Sequence, residues 1–293
     1  MSLIKPALWG FDRELTSPEW SWFWEPSNIS SGIIWEGGGD PYDYADRAFT
    51  TLKGSAPWSV GTPGKMLNLQ ATAHTQKQTI ELTNLGSTVL DGLTEFTYAI
   101  YFTYTGDGTD TNEDSLGLQW SSLQSIDDSN ATRILTRYQG STNQMDFSTG
   151  TSGGNFDLIV DLDNVGVPLE GGGPQAWVFR YGGENNKSIW QEGIQIGENS
   201  NAGALKSISH NVVPEAFGGH NVTGVSGGSI QDGPQVEAYI WTFHTRAWSD
   251  VDIVQWSRDP FGPFEMFDDY PAWLITEIIA NQSLSIFRRR RRF

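Results

Sequence analysis

At 293 residues, with 18% charged and 13% aromatic residues, the chain is too aromatic to be disordered and long enough to bury a sizeable core. Its 33 Gly and 13 Pro exclude a helical bundle and fit many short strands joined by tight turns. A formal net charge of −17 argues against sequence-independent nucleic-acid binding, and the lack of cysteine excludes disulfides, thiolate metal sites and a Cys nucleophile.

Residues 1–31 are dense in Trp and Pro (Trp9, Pro18, Trp20, Trp22, Trp24, Pro26) without helical or strand periodicity, and read as an aromatic arm laid over a domain. The stretch Met1–Leu15 lacks a continuous apolar core and is not expected to be a signal peptide. From residue 32 to 264 the punctuation is regular. Strands are predicted at Gly64–Ala71, Gln78–Leu82, Phe96–Tyr104, Arg133–Tyr138, Phe156–Leu162, Ala176–Tyr181, Ser188–Gln191, Ile194–Ile196 and Val236–His244. Phe96–Tyr104 is apolar on both faces and is expected at the centre of a sheet. Glu192-Gly193 reads as a two-residue hairpin turn. Ser249 is expected to cap a short helix carrying Val251, Ile253, Val254 and Trp256, which Asp259-Pro260 ends. Residues 265–293 form a C-terminal extension in which Pro271–Ala280 is too short to span a bilayer, so no membrane insertion is predicted. The whole reads as an all-β antiparallel β-sandwich with one short helix and terminal arms.

Four segments in this order resemble the laminin-G-like and concanavalin A-like lectin-glucanase superfamily, of the kind found in tailed-phage structural proteins: Gly32–Asp43, Ala56–Trp58 with Gly64–Leu69, Trp177–Tyr181 with Ser188–Ile194, and Ala238–Ile253. Asp259–Phe264 is similar to the segment that follows the last helix in phage members. The resemblance implies a jelly roll that hosts unrelated functions: glycan binding, calcium on loops, and in some members glucan hydrolysis.

Hydrolysis by that family needs a Glu-x-Asp-x-x-Glu strand, and no Glu here is followed two residues later by Asp, so no catalytic residue is assigned. The acidic run Asp157, Asp161, Asp163 would share one strand face and is read as a solvent-facing edge. Asp40, Asp43 and Asp46 in a Gly-rich turn are candidate calcium ligands, because hard cations take carboxylates and turn carbonyls. Trp120, Tyr138, Trp190 and Asn221 are candidates for a glycan platform. Arg288, Arg289, Arg290, Arg291 and Arg292 form a basic run on an acidic chain and are read as an assembly element.

The expected function is that of a non-enzymatic virion structural protein, a capsid decoration, head-fibre or tail-associated module anchored by its arms on the virion surface. Its expected partners are capsid or tail subunits, further copies of itself and cell-surface glycans. The alternative is a secreted or surface lectin in an extracellular setting, with a polysaccharide-degrading enzyme ranked below it.

Overall fold

The computed structural model describes residues 18–23, 29–34, 42–43, 49–53, 58–60, 65–70, 79–83, 93–106, 113–115, 118–121, 133–151, 154–165, 169, 172–183, 186–200, 215–217, 220–221, 230–231 and 235–264. In chain order the strands are β1 (Ile29–Ile34), β2 (Tyr42–Asp43), β3 (Phe49–Lys53), β4 (Trp58–Val60), β5 (Lys65–Gln70), β6 (Thr79–Thr83), β7 (Phe96–Tyr104), β8 (Glu113–Ser115), β9 (Leu118–Ser121) and β10 (Arg133–Gln139). They continue with β11 (Gln144–Thr151), β12 (Gly154–Asp161), β13 (Gln175–Tyr181), β14 (Lys187–Gln191), β15 (Ile194–Asn199), β16 (Glu215–Phe217), β17 (His220–Asn221), β18 (Ile230–Gln231) and β19 (Gln235–His244). Two helices, α1 (Leu162–Val165) and α2 (Asp250–Arg258), follow β12 and β19.

One sheet runs β15-β14-β13-β7-β19-β1-β2, with β5 also on β19 and β4 on β5. The second runs β12-β11-β10-β9-β16-β6-β3, with β8 beside β10, and β17 pairs with β18 alone. Strand β7 lies between β13 and β19, as its two apolar faces predict. Phe96, Tyr98, Ile100, Phe102 and Tyr104 point to the second sheet, whereas Ala99 belongs to a separate apolar layer on the other side. This alternation with period two builds a core between the sheets and another outside the first sheet.

The inter-sheet core is joined across its gap by aromatic rings. Phe147 of β11 sits edge-on to Phe96, Tyr98 and Phe179, at centroid distances of 6.1, 6.0 and 5.7 Å. One cation shares this space: buried Lys187 donates from Nζ to the Phe147 carbonyl (2.9 Å) and to Thr149 Oγ1 (3.3 Å). Desolvation pulls its ammonium pKa down to about 8, against the opposing pull of Asp146 and Asp157.

The edge strands β12 and β15 close one side of the sandwich at Gly197. A Cβ built on Gly197 would overlap Val160 Cγ2, so a larger residue here would have to push Val160 aside. The β14–β15 hairpin turns at Glu192 (φ 51°) and Gly193 (φ 76°), the two positive dihedrals that a tight primed turn requires. Glu192 tolerates this because its backbone N–H and its side chain are both tied to Ala176.

Strand β1 begins at Ile29 and pairs with β19, and Trp20 and Phe23 are buried in the apolar layer on the same sheet. One element end differs from the sequence expectation. Strand β12 ends at Asp161, so Asp163 stands on α1 instead of the strand face. Asp161 has the better use: it accepts from the Asp163 backbone N–H (3.0 Å) and from Asn164 Nδ2 (2.6 Å), and so caps α1.

Candidate functional site

The outer layer of the nine-stranded sheet positions the site. Small residues Ala99 and Ala176 lower the sheet surface, and α2 lays Ile253 and Trp256 onto it beside Trp248, Val178, Trp190 and Ile240. A bulge between Ala238 and Ile240 turns Tyr239 to the same outer face. Helix α2 starts sharply, because Ser249 Oγ accepts from the Asp252 N–H while Asp252 Oδ2 accepts from the Ser249 N–H. Arg180, buried on β13, fastens that start to the sheet: its Nη1 donates to the Trp248 carbonyl (3.0 Å) and to Asp250 Oδ1 (2.6 Å), and its Nε to Ser188 Oγ (3.1 Å).

Residues 18–23 then clamp the helix from the side. Phe23 meets His244 (4.7 Å) and Trp248 (6.0 Å), and Trp22 stands edge-on to Trp248 (5.2 Å). Gln255 of α2 joins the two segments, accepting from Trp22 Nε1 (3.2 Å) and donating to the Glu19 carbonyl (3.1 Å). Trp20, Trp22 and Phe23 therefore cover sheet and helix.

Between this turn and α2 runs a groove of about 630 Å³, lined by Glu19, Trp20, Asp250, Val251, Val254, Gln255, Arg258 and Asp259. The helix spacing explains the set: positions 250, 251, 254, 255 and 258 recur on one face while Ile253 and Trp256 turn into the layer beneath. Val251 is 75% exposed, an apolar residue left open on the groove wall. Burial raises the pKa of Asp259, the Gly262 backbone N–H opposes that shift, and the charge of Glu19 adds to it. Among the described residues the groove thus offers apolar carbon at Val251 and Val254, carboxylate acceptors at Glu19, Asp250 and Asp259, and one guanidinium at Arg258, while Trp20 is buried.

The residues singled out from sequence are not gathered here. Tyr138 is wholly buried, its ring against Tyr104 (4.9 Å) and its hydroxyl donating to Asn143 Oδ1 (3.0 Å). Trp190 is 6% exposed, lies under the Arg180 guanidinium (5.3 Å) and donates to Ser188 Oγ (2.9 Å). Both rings are buried and serve packing. Trp120 sits on β9 opposite Ile134, and Asn221 on β17 opposite Ile230. Asp43 ends β2 opposite Ile33, whereas Asp40 and Asp46 lie outside the described residues. Arg288, Arg289, Arg290, Arg291 and Arg292 also lie outside them. Among the described residues no group of three or more His, Cys, Asp or Glu is arranged to hold a metal ion. The groove residues Trp20, Gln255 and Arg258 were not singled out, although the helix that carries two of them was predicted.

No protein-family model and no curated protein sequence matches the chain. Solved structures do. The binding domain of Paraclostridial Mosquitocidal Protein 1 superposes with a TM-score of 0.58 at 12% identity, over 80% of this chain and 53% of that one. Domain 4 of AbnA, a GH43 extracellular arabinanase from Geobacillus stearothermophilus in complex with arabinotriose, gives 0.54 at 12% identity over 80% of this chain and 100% of that one. A botulinum neurotoxin type C structure, described with cell entry dependent on two ganglioside molecules, gives 0.56 at 8% identity over 80% and 51%. The fold is a β-sandwich shared with binding domains. The chain spans about half the length of the two toxin structures and all of the arabinanase domain.

Proposed function

We propose that this chain is a carbohydrate-binding, lectin-like domain that engages sugar at the α2 groove and performs no catalysis. The observation that carries the reading is the groove itself, where exposed apolar carbon at Val251 stands beside carboxylates and Arg258. Sugars present apolar C–H faces and directional hydroxyls, and a mostly apolar concavity with a few polar groups suits both. Its setting supports the same reading, since the shared fold includes a domain whose structure contains arabinotriose.

Titration calorimetry against a panel of neutral oligosaccharides, arabinotriose included, tests it. Saturable binding is expected, and Val251→Asp is expected to weaken it about tenfold by setting a charge on the apolar wall while leaving the thermal midpoint unchanged. A flat titration across the whole panel would refute the reading.

Display on a virion or another extracellular surface, anchored through Arg288–Arg292, is the finer form of this proposal. Quantitative mass spectrometry of purified particles decides it: hundreds of copies indicate decoration, a few dozen a fibre or tail position, and none leaves the free extracellular lectin. Calcium on the turn bearing Asp40, Asp43 and Asp46 belongs to the proposal too. Adding calcium to EDTA-treated protein is expected to raise the thermal midpoint by several degrees. An unchanged midpoint removes the ion.

A further inference from the structure

We infer that the α2 groove selects neutral saccharides and rejects anionic ones such as sialylated glycans, an inference that rests on the carbohydrate-binding reading above. Three carboxylates, Glu19, Asp250 and Asp259, line the groove against one guanidinium, Arg258. Two further cations on this face are already committed. Arg180 lies beneath the groove and holds Asp250 at 2.6 Å. Arg246 pairs with Asp252 at 3.2 Å and rests over the Trp22 ring at 5.2 Å. Among the described residues, a sugar carboxylate arriving here gains Arg258 and meets Glu19 and Asp259.

Burial chiefly, and the nearby charge of Glu19 in smaller part, make it harder for Asp259 to hold its charge, against the Gly262 backbone N–H. The chain as a whole repels anions as well, with a formal net charge of −17. Neutral hydroxyls meet the opposite situation. They donate to carboxylates in charge-assisted bonds, and their ring carbons can lie on Val251 and Val254. The acidic rim that repels a sialic acid is what a neutral diol requires. A like charge brought within about 6–8 Å, partly screened, is enough for roughly a tenfold preference.

The test is a panel of matched pairs, each neutral oligosaccharide presented beside its sialylated form, read by direct binding at low and at physiological salt. The expected result is binding to one or more neutral members with about tenfold weaker binding of the sialylated partner, a gap that narrows as salt rises. Glu19→Gln alone, and with Asp259→Asn, is expected to close the gap by strengthening the sialylated form. Asn at 259 retains the Oδ1 that accepts from the Gly262 N–H at 3.0 Å. Equal or tighter binding of the sialylated members would overturn the inference and leave carbohydrate binding standing. Absence of binding to both members of every pair would overturn both.

Discussion

Phe147→Ala is expected to cost about 4 kcal/mol of folding stability, as large-to-small changes at buried aromatics do, and to shift the urea midpoint down by about 1 M. The magnitude follows from position. Phe147 is fully buried on the second sheet and meets Phe96, Tyr98 and Phe179 of the first, so its removal opens a void on the seam between layers. The Lys187 ammonium, 5.2 Å from the ring centroid, would then face that void. Phe147→Leu refills most of the volume and is expected to cost about 1 kcal/mol. A loss under about 1 kcal/mol for the alanine variant would mean that the two sheets are not held together through this ring.

The second large effect is on pH dependence. Lys187→Met relieves a desolvated charge but deprives the Phe147 carbonyl and Thr149 Oγ1 of that donor, so little net change is expected at neutral pH. The pH profile identifies the cause. The native ammonium titrates near 8 and the unfolded one near 10.5. Below pH 8 both states carry the proton and the burial penalty is present in full. Between 8 and 10.5 the unfolded chain holds more protons than the native one, so stability rises with pH, by up to about 3 kcal/mol for a shift of this size. The methionine variant lacks this rise. Buried Tyr98 has a raised pKa through desolvation and bends both profiles at higher pH in the same way, so the difference between the curves isolates Lys187. Parallel profiles between pH 8 and 10.5 would show that the ammonium is not buried.

Local signals were legible wherever one residue type had one job. The doubly apolar run Phe96–Tyr104 became the sheet centre, Glu192-Gly193 the tight turn, and Ser249 the helix cap, each as its own chemistry dictates. What stayed hidden depends on partners far along the chain. Nothing in the composition of Tyr138 or Trp190 tells which face of a sheet they occupy, or that a layer of helix covers that face. The groove unites residues 19 and 20 with 250–259, and the Gln255–Glu19 bond that joins them spans 236 positions. No periodicity reaches so far. Asp163 was misplaced for a smaller reason: Asp161 ends its strand by capping the next turn, and a strand pattern extended by one period does not register that change.

The meeting of β12 and β15 at Gly197 also bears on behaviour in crowded solution. Each is the terminal strand of its sheet and would otherwise offer unpaired backbone groups to any passing chain. By leaning on Val160, the glycine lets the two exposed margins shelter one another without a covering helix. Any larger residue at 197 would press on that margin, and its first symptom would be self-association through strand pairing, before any loss of the α2 groove.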